Sequence, residues 1–549
     1  MSTAISALGG VGLFLLGMTV MTEGLKALAG SGLRAVLSKA AATPLRGSFW
    51  GALVTLLVQS SSATIMTTIG LVSAGLLTFP QGLGLVFGAN VGTTGTGWLV
   101  ALIGVRVSLT AAAMPMIFVG ALIKLLASGR VSGAGAALAG FGLVLFGLTT
   151  LQQGMGGLAE RLHPQDFPAV LAGTDGPWWR GMLGALTLVV AGLVMTAIMQ
   201  SSTAAVAVTL SAYFANAIGL DQGCALIIGQ NIGTATSSAL AAIGASTTAK
   251  RLAVAYVLFK LIAAVIALLL FPIVTPLLIQ ASKTIDGVTL LAAYHTAYNV
   301  VGVVVLLPLV DRFTQLVERI LPERGSPLMR CLDPSALATP IVAVEAVRRT
   351  TARALAAVCD SIETALVSEI RNEPLRKQDA VSVREASDAM RQAQVFLSDV
   401  AGPPETEDEQ QRLTSTLHAL DHASRLAEAA AATDFKTVHA GPDDLRADGL
   451  CAHAMGLAIS IADNLGAPAG TDPSAKEMTS THELLLQLEH FAAELETLQR
   501  THRSATLRAV AHGTLTADVA IARVDTLRSL QALTRHAWRC AVHLVGRET

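Results

Sequence analysis

Gln59-Ser60-Ser61-Ser62-Ala63-Thr64-Ile65 and its near-copy Gln200-Ser201-Ser202-Thr203-Ala204-Ala205-Val206 decide how this chain is read. Each is a polar knot in sequence otherwise fit for lipid. From Gly47 to Val105 the chain runs without one Asp, Glu, Lys, Arg or His. Hydroxyls and amides at membrane depth must find partners inside the protein or line a cavity, because hydrocarbon offers none. Small polar residues also pack transmembrane helices closely. A run of them made twice points further, to a site.

The knots belong to a larger internal repeat. Gln59 is followed by Asn90, within Gly88-Ala89-Asn90-Val91-Gly92-Thr93-Thr94. At the same spacing Gln200 is followed by Asn231, within Gly229-Gln230-Asn231-Ile232-Gly233-Thr234-Ala235. Upstream, Leu13-Phe14-Leu15-Leu16-Gly17 is echoed by Leu143-Val144-Leu145-Phe146-Gly147. The offset between copies is larger for the later motifs than for this one. The second copy therefore carries a short insertion, expected within His163–Trp179. Duplicated halves with polar, Gly-interrupted apolar segments in matching places are the sequence pointer to a secondary transporter's binding site.

Composition changes sharply near Arg330: residues 1–330 hold 17 Lys+Arg and 9 Asp+Glu, the remaining 219 hold 21 and 30. A membrane part precedes a soluble, mildly acidic part, so the net charge of −1 averages two unlike pieces. The lack of a basic patch argues against nucleic acid. Cys224, Cys331, Cys359, Cys451 and Cys540 have no close pairing, which argues against a disulfide framework or zinc site. The apolar N-terminus has no basic n-region and reads as a retained first helix.

Residues 4–25 read as a first span. Pro44 to Val58 is short, whereas a crossing needs roughly 20 residues. With Ala63–Leu77 it reads as a re-entrant hairpin whose tip serines cap the second arm. A crossing at 82–104 should be unwound at Asn90-Val91-Gly92-Thr93, since Gly weakens a helix and Asn and Thr bond local backbone. A further crossing runs from about 107 to 127. The second copy gives a span at 133–151, a hairpin at 181–213, a broken span at 223–244 and a crossing at 252–280. A seventh crossing lies at about 288–310. Three crossings per repeat make the repeats inverted.

With the N-terminus outside, predicted cytoplasmic segments hold 12 Lys+Arg and external ones 4, namely Arg106, Arg161, Arg180 and Lys283. This places the C-terminal part in the cytoplasm of an inner-membrane protein. Repeat one covers about 4–128, repeat two about 133–282, a linker 311–337 and a helical domain 338–549. In that domain helices are expected near 340–372, 376–400, 407–433, 442–465, 474–511 and 515–546, as two three-helix bundles. Breakers fall at Gly402-Pro403-Pro404 and Gly466–Pro473. The fold class is all-α.

A serine nucleophile at Ser60–Ser62 would need a positioned base, and its apolar stretch has none; His295 lacks an orienting acid. The chain is therefore not read as an enzyme. Two half-helix N-termini with serine hydroxyls form an anion site without Arg or Lys. The missing counter-charge suits mobile cations, and neutral Gln, Ser, Thr and Asn oxygens suit sodium better than calcium. Cation-coupled anion transport is the reading these residues support.

The paired Gln-Ser-Ser motifs, the Gly-x-Asn-[Val/Ile]-Gly-Thr stretches and Tyr294-His295-Thr296-Ala297-Tyr298-Asn299 resemble the type II sodium–phosphate cotransporters over residues 1–310. Leu417-His418-Ala419-Leu420-Asp421-His422-Ala423-Ser424-Arg425-Leu426 resembles a PhoU-like domain. The resemblance implies phosphate held by Ser60, Ser61, Ser62, Ser201, Ser202 and Thr203, the last departing from a third serine. It implies sodium held or its sites shaped by Gln59, Thr64, Asn90, Thr93, Gln200, Asn231 and Thr234. His295 and Asn299 are further candidates; Lys260, deep in its span, should snorkel or pair. Glu23 is expected at the interface. No Glu/Asp-x-x-x-Asp pair supports a metal cluster in the PhoU-like part, and no cofactor beyond coupling sodium is expected. The expected partners are inorganic phosphate, sodium ions and the lipid bilayer, with a homodimer left open. Rival readings are a carrier or exporter of phosphate or another oxyanion, and a membrane sensor for phosphate signalling.

Overall fold

The computed structural model describes residues 2–546 except 41, 105–109, 161–162, 171–177, 244–245, 323–325, 372–376, 401, 403–405, 434, 436–441 and 467–474. Arg106, Arg161, both prolines of the Gly402-Pro403-Pro404 breaker, positions 467–473 of the next one and part of the expected insertion thus lie outside the described residues. Among the described residues all regular structure is helical. The chain divides into two units, Met1–Ile69 with Phe79–Glu323, and Gly70–Thr78 with Arg324–Thr549.

In the first unit, α1 (Ser2–Ala40) is followed by a hairpin of α2 (Pro44–Val58) and α3 (Ser61–Ser73). Then come α4 (Phe79–Gly92), α5 (Gly95–Leu99) with a π-helical turn to Gly104, and α6 (Thr110–Leu126). The second copy repeats this order as α7 (Gly129–Ala159), α8 (Trp178–Met199), α9 (Ser202–Phe214), α10 (Leu220–Gly233), α11 (Ala235–Ala241) and α12 (Thr247–Ala281). α13 (Gly287–Leu306) and α14 (Val310–Ile320) complete it, α14 taking up part of the expected linker.

Six helices among the described residues are long and apolar enough to cross a membrane: Thr3–Ala29, Phe79–Leu102, Gly129–Ala159, Arg180–Met199, Thr247–Ala281 and Gly287–Ile320. The shorter apolar helices include both arms of the first hairpin and the second arm of the other. The first arm of the second hairpin, at 22 residues, is longer than its counterpart of 15 residues. Leu8, Phe118, Leu125, Ile198, Leu269 and Ile273 are all exposed, as lipid-facing side chains would be.

Glycines set the packing. A Cβ on Gly10, Gly17 or Gly24 of α1 would meet the backbone of Leu151, Val144 or Ala137 of α7 at 2.3–2.5 Å. These two equivalent helices therefore run antiparallel, backbone against backbone, along a small-residue seam of the kind that joins membrane helices. α2 meets α4, and α8 meets α10, in the same manner.

The break expected at Asn90–Thr93, and in the matching stretch of the second copy, lies elsewhere. α4 stays helical through Asn90 to Gly92, and α10 through Asn231 to Gly233. The hydroxyls stay inside the helical turn: Thr93 Oγ1 donates to Ala89 O at 2.8 Å and Thr94 Oγ1 to Val91 O at 2.7 Å. Thr234 keeps right-handed backbone (φ −62°, ψ −24°). The interruption is a tight change of helix at Thr93–Thr94 and Thr234, with no unwound strand.

The second unit holds α15 (Pro340–Arg371), α16 (Lys377–Ser398), α17 (Glu407–Ala432), α18 (Pro442–Gly466), α19 (Ala475–Ala511) and α20 (Ala517–Val545). All six match expected helices to within a few positions at each end. α15 packs on α16, α17 and α18, and α20 on α17, α18 and α19, so the two triplets form one body. Thr406 caps α17, accepting from Glu409 N–H at 3.3 Å, and Glu407, Asp408 and Glu409 suit the positive end of the helix. Burial opposes charge on Glu345, but hydrogen bonds from Arg348 and Arg349 at 2.8 Å outweigh it and hold the carboxyl below the usual carboxylate range. Within this unit Ser73 Oγ donates to Asp333 Oδ2 at 2.6 Å.

Candidate functional site

Both hairpins turn in the same way. Gln59 ends α2 with φ 56° and Gln200 ends α8 with φ 52°, left-handed conformations that reverse the chain at once. Ser60 Oγ then accepts from Ala63 N–H at 3.2 Å, and Ser201 Oγ from Ala204 N–H at 3.2 Å. These are the N-caps expected of the tip serines. The next N–H groups, of Ser61 and Ser62 and of Ser202 and Thr203, have no carbonyl a turn earlier to accept from them. Each tip therefore offers free donors and the positive end of a helix dipole.

The glutamines latch each tip to the interrupted helix of its own repeat. Thr96 Oγ1 donates to Gln59 Oε1 at 2.5 Å, and Ser237 Oγ to Gln200 Oε1 at 2.8 Å. Thr96 and Ser237 stand at the same offset as Gln59 and Gln200, so the repeat extends to its hydrogen bonds.

Both tips open on one cavity of about 380 Å³. Of the expected residues, Ser60, Ser61, Ser62, Ser201, Ser202, Thr203, Gln59, Gln200, Thr93 and Thr234 line it. Thr203 Oγ1 lies 3.1 Å from Ser201 Oγ, so its hydroxyl serves the tip despite the added methyl. Thr64, Asn90, Asn231, His295 and Asn299 do not line it. Thr64 Oγ1 accepts from Thr55 Oγ1 at 2.9 Å behind the first tip. Asn90 Nδ2 donates to Val86 O at 2.8 Å, while its Oδ1 is buried without a partner among the described residues.

α13 reaches both interruptions. Thr296 Oγ1 donates to Thr94 Oγ1 at 3.0 Å and accepts from Trp98 Nε1 at 2.9 Å. Nearly one turn on, Asn299 Oδ1 accepts from Asn231 Nδ2 at 3.1 Å. Asn299 thus fixes the second repeat from behind the cavity, and His295 backs it through its carbonyl, which accepts from Asn299 Nδ2 at 2.8 Å.

The Na+/Pi-cotransporter family model matches residues 13–153 and 181–291 of this chain, which hold both tips and both interrupted helices. The first unit belongs to that family. The chain is 28% identical over 313 residues to protein YqeW of Bacillus subtilis (strain 168), covering 57% of this chain and 96% of that one. It is 31% identical over 359 residues to YjbB of Escherichia coli (strain K12), provisionally named an inorganic phosphate export protein, covering 64% and 63%. Over 62 residues it is 45% identical to sodium-dependent phosphate transport protein 2B of Homo sapiens, covering 11% and 9%. No solved structure matches. The family and its named members are phosphate transporters, not enzymes.

Several lining residues of this cotransporter-family unit go beyond those the sequence motifs mark. Thr96, Ser237, Ser238 and Tyr256 join the cavity, as do Thr19, Thr22, Glu23 and Lys26 of α1. Glu23, expected at the interface, thus faces the cavity with Lys26, so charge is present there as an opposed pair. Offset arithmetic from Gln59 and Gln200 could have found Thr96 and Ser237; nothing local marks Thr19 or Tyr256.

Lys260 does not snorkel. It is 2% exposed, its Nζ donates to Asn231 Oδ1 and stands 5.3 Å from the Tyr256 ring. Its counterpart in repeat one, at the offset that relates Asn231 to Asn90, is Val119. The two asparagine carbonyls therefore differ: one holds a tethered ammonium and the other is unpartnered.

Proposed function

We propose that the chain couples sodium to the transport of inorganic phosphate across the inner membrane, and that residues 338–549 form a cytoplasmic, PhoU-like regulatory domain. The observation that carries this reading is the convergence of two capped helix N-termini, with their serine hydroxyls, on one polar cavity. The free N–H groups and hydroxyls suit a tetrahedral anion, and the neutral oxygens of Gln59, Gln200, Thr93 and Thr234 suit sodium beside it. Thr64, Asn90 and Asn231 shape the site from the layer behind. An inverted repeat fits the antiparallel course of α1 and α7.

Radiolabelled phosphate uptake into proteoliposomes tests it. Uptake under an inward sodium gradient, and none with potassium in its place, is the expected result; equal uptake in both removes sodium. Outward transport is a second reading, supported by the name of the Escherichia coli relative, and sodium-driven efflux from preloaded vesicles of known protein orientation decides direction. A tag after Thr549 should be shielded from reagents outside intact cells. Removing residues 338–549 should leave flux and alter its regulation, whereas a pure sensor would show no flux in either form.

Lys260→Met should fold, because methionine fills a similar volume without a buried charge. With the ammonium gone, Asn231 Oδ1 is open to a mobile cation. The sodium dependence of uptake should therefore become steeper than in the parent. An unchanged sodium response in a folded variant would make Lys260 a packing residue.

A further inference from the structure

α17 and α20 carry a second constellation, far from lipid chemistry in composition. A cavity of about 460 Å³ in the second unit is lined by His422 and Arg425 of α17 and by Gln531, Arg535, His536 and Arg539 of α20. Three guanidiniums and two imidazoles share it with one nearby carboxylate, Asp421, which is already held by Arg425 at 3.0 Å. Among the described residues neither Arg535 nor Arg539 has a carboxylate within ion-pair distance; Arg539 lies over the Trp538 ring at 4.8 Å. The cavity is thus short of negative charge.

The imidazoles show the same shortage. His422 Nδ1 and His536 Nδ1 are 3.2 Å apart, so one donates while the other accepts, and the accepting ring carries no proton there. His543 stacks on His422 at 5.8 Å and on His418 at 4.9 Å. Burial, then the His536 ring, pushes His422 down to about 4 against the pull of Asp421, with His543 and Arg539 adding to the fall. Burial, then Arg425 and Arg535, lowers His536, and burial, then His418 and Arg539, lowers His543. Every charged or titratable group acting on His422 and His536 sits on α17 or α20.

We propose that this cavity binds a phosphate-type oxyanion, either free inorganic phosphate or the phosphate of a larger metabolite, through Arg535, Arg539 and the His422–His536 pair. Planar guanidinium forks match tetrahedral oxyanions, and Gln531 adds a neutral donor. A bound anion supplies the absent negative charge and lets the imidazoles hold protons again. A metal ion fits poorly: the paired His nitrogens occupy each other, the guanidiniums repel a cation, and no group of three His, Cys, Asp or Glu among the described residues is arranged to hold one. The site is independent of the transport reading.

Carbethoxylation of histidines in the intact, detergent-solubilised chain, mapped by mass spectrometry, tests it without reference to transport. Inorganic phosphate or ATP, against chloride at equal ionic strength, should slow modification of His422 and His536 and leave the exposed His163 unaffected. At ten times the dissociation constant the slowing should be about tenfold. ATP protecting where phosphate does not would assign the source to a phosphorylated metabolite; both protecting would assign it to the phosphate group itself. Because binding favours protonated imidazole, affinity should rise from mildly basic to mildly acidic buffer. Arg535→Gln with Arg539→Gln should abolish protection. Protection by neither anion, by chloride equally, by zinc alone, or undiminished in the double variant would overturn the proposal.

Discussion

Gly229→Ala should destabilise the membrane unit by about 1–3 kcal/mol, the usual penalty for overpacking a close contact. A Cβ at Gly229 would lie 1.8 Å from Val189 O and 2.9 Å from Leu193 N, both backbone atoms of α8 that cannot turn aside. The helices must part, and with them the frame that holds the second tip. Gly88→Ala should do the same in the first repeat, where the Cβ would meet Ser48 O of α2 at 1.9 Å. Gly12→Ala is the control, since nothing lies within 4 Å of its Cβ position; there alanine should be neutral or stabilising by up to about 1 kcal/mol. Thermal unfolding of the three variants in one detergent measures the difference. Equal midpoints for Gly229→Ala and Gly12→Ala would mean that the α8–α10 approach is looser than described.

Ser61→Ala and Ser201→Ala should each weaken phosphate binding while leaving the protein inserted. A hydrogen bond to a charged group contributes about 1.5–3 kcal/mol, so each loss is expected to raise the half-saturating phosphate concentration by roughly ten- to a hundredfold. The two should differ in a second readout. Ser201 Oγ caps α9 through Ala204 N–H, so its removal also costs about 0.5–2 kcal/mol of local helix stability. Ser61 lies inside the first turn of α3 with the cap left to Ser60, so its loss should fall on the anion alone. Unchanged half-saturation in both variants would remove the tips from the site.

The hairpins are legible in the sequence because two physical limits meet in one stretch. The arm Pro44–Val58 is too short to cross, and the serines after it can only be tolerated as caps or cavity walls. The soluble helices are legible from periodicity and breakers. The interruption after Asn90 is not, because composition shows which residues weaken a helix, while the Thr93 and Thr94 hydroxyls that hold the turn together are a matter of local geometry. Glu23 facing the cavity and Lys260 reaching Asn231 depend on helices brought together from distant sequence, which no local pattern encodes. The heptad spacing of Gly10, Gly17 and Gly24, matched by Gly140, Gly147 and Gly154, is present in the sequence and reads clearly only once α1 is seen lying on α7.

The latches from Thr96 to Gln59 and from Ser237 to Gln200 have a consequence for release. Each tip is moored to its own half, so neither half owns a complete cradle. Any motion that draws the halves apart divides the donors between two shores, and the anion is left with half its ligands. Loading and unloading then need no separate trigger: affinity is a measure of how closely the halves stand.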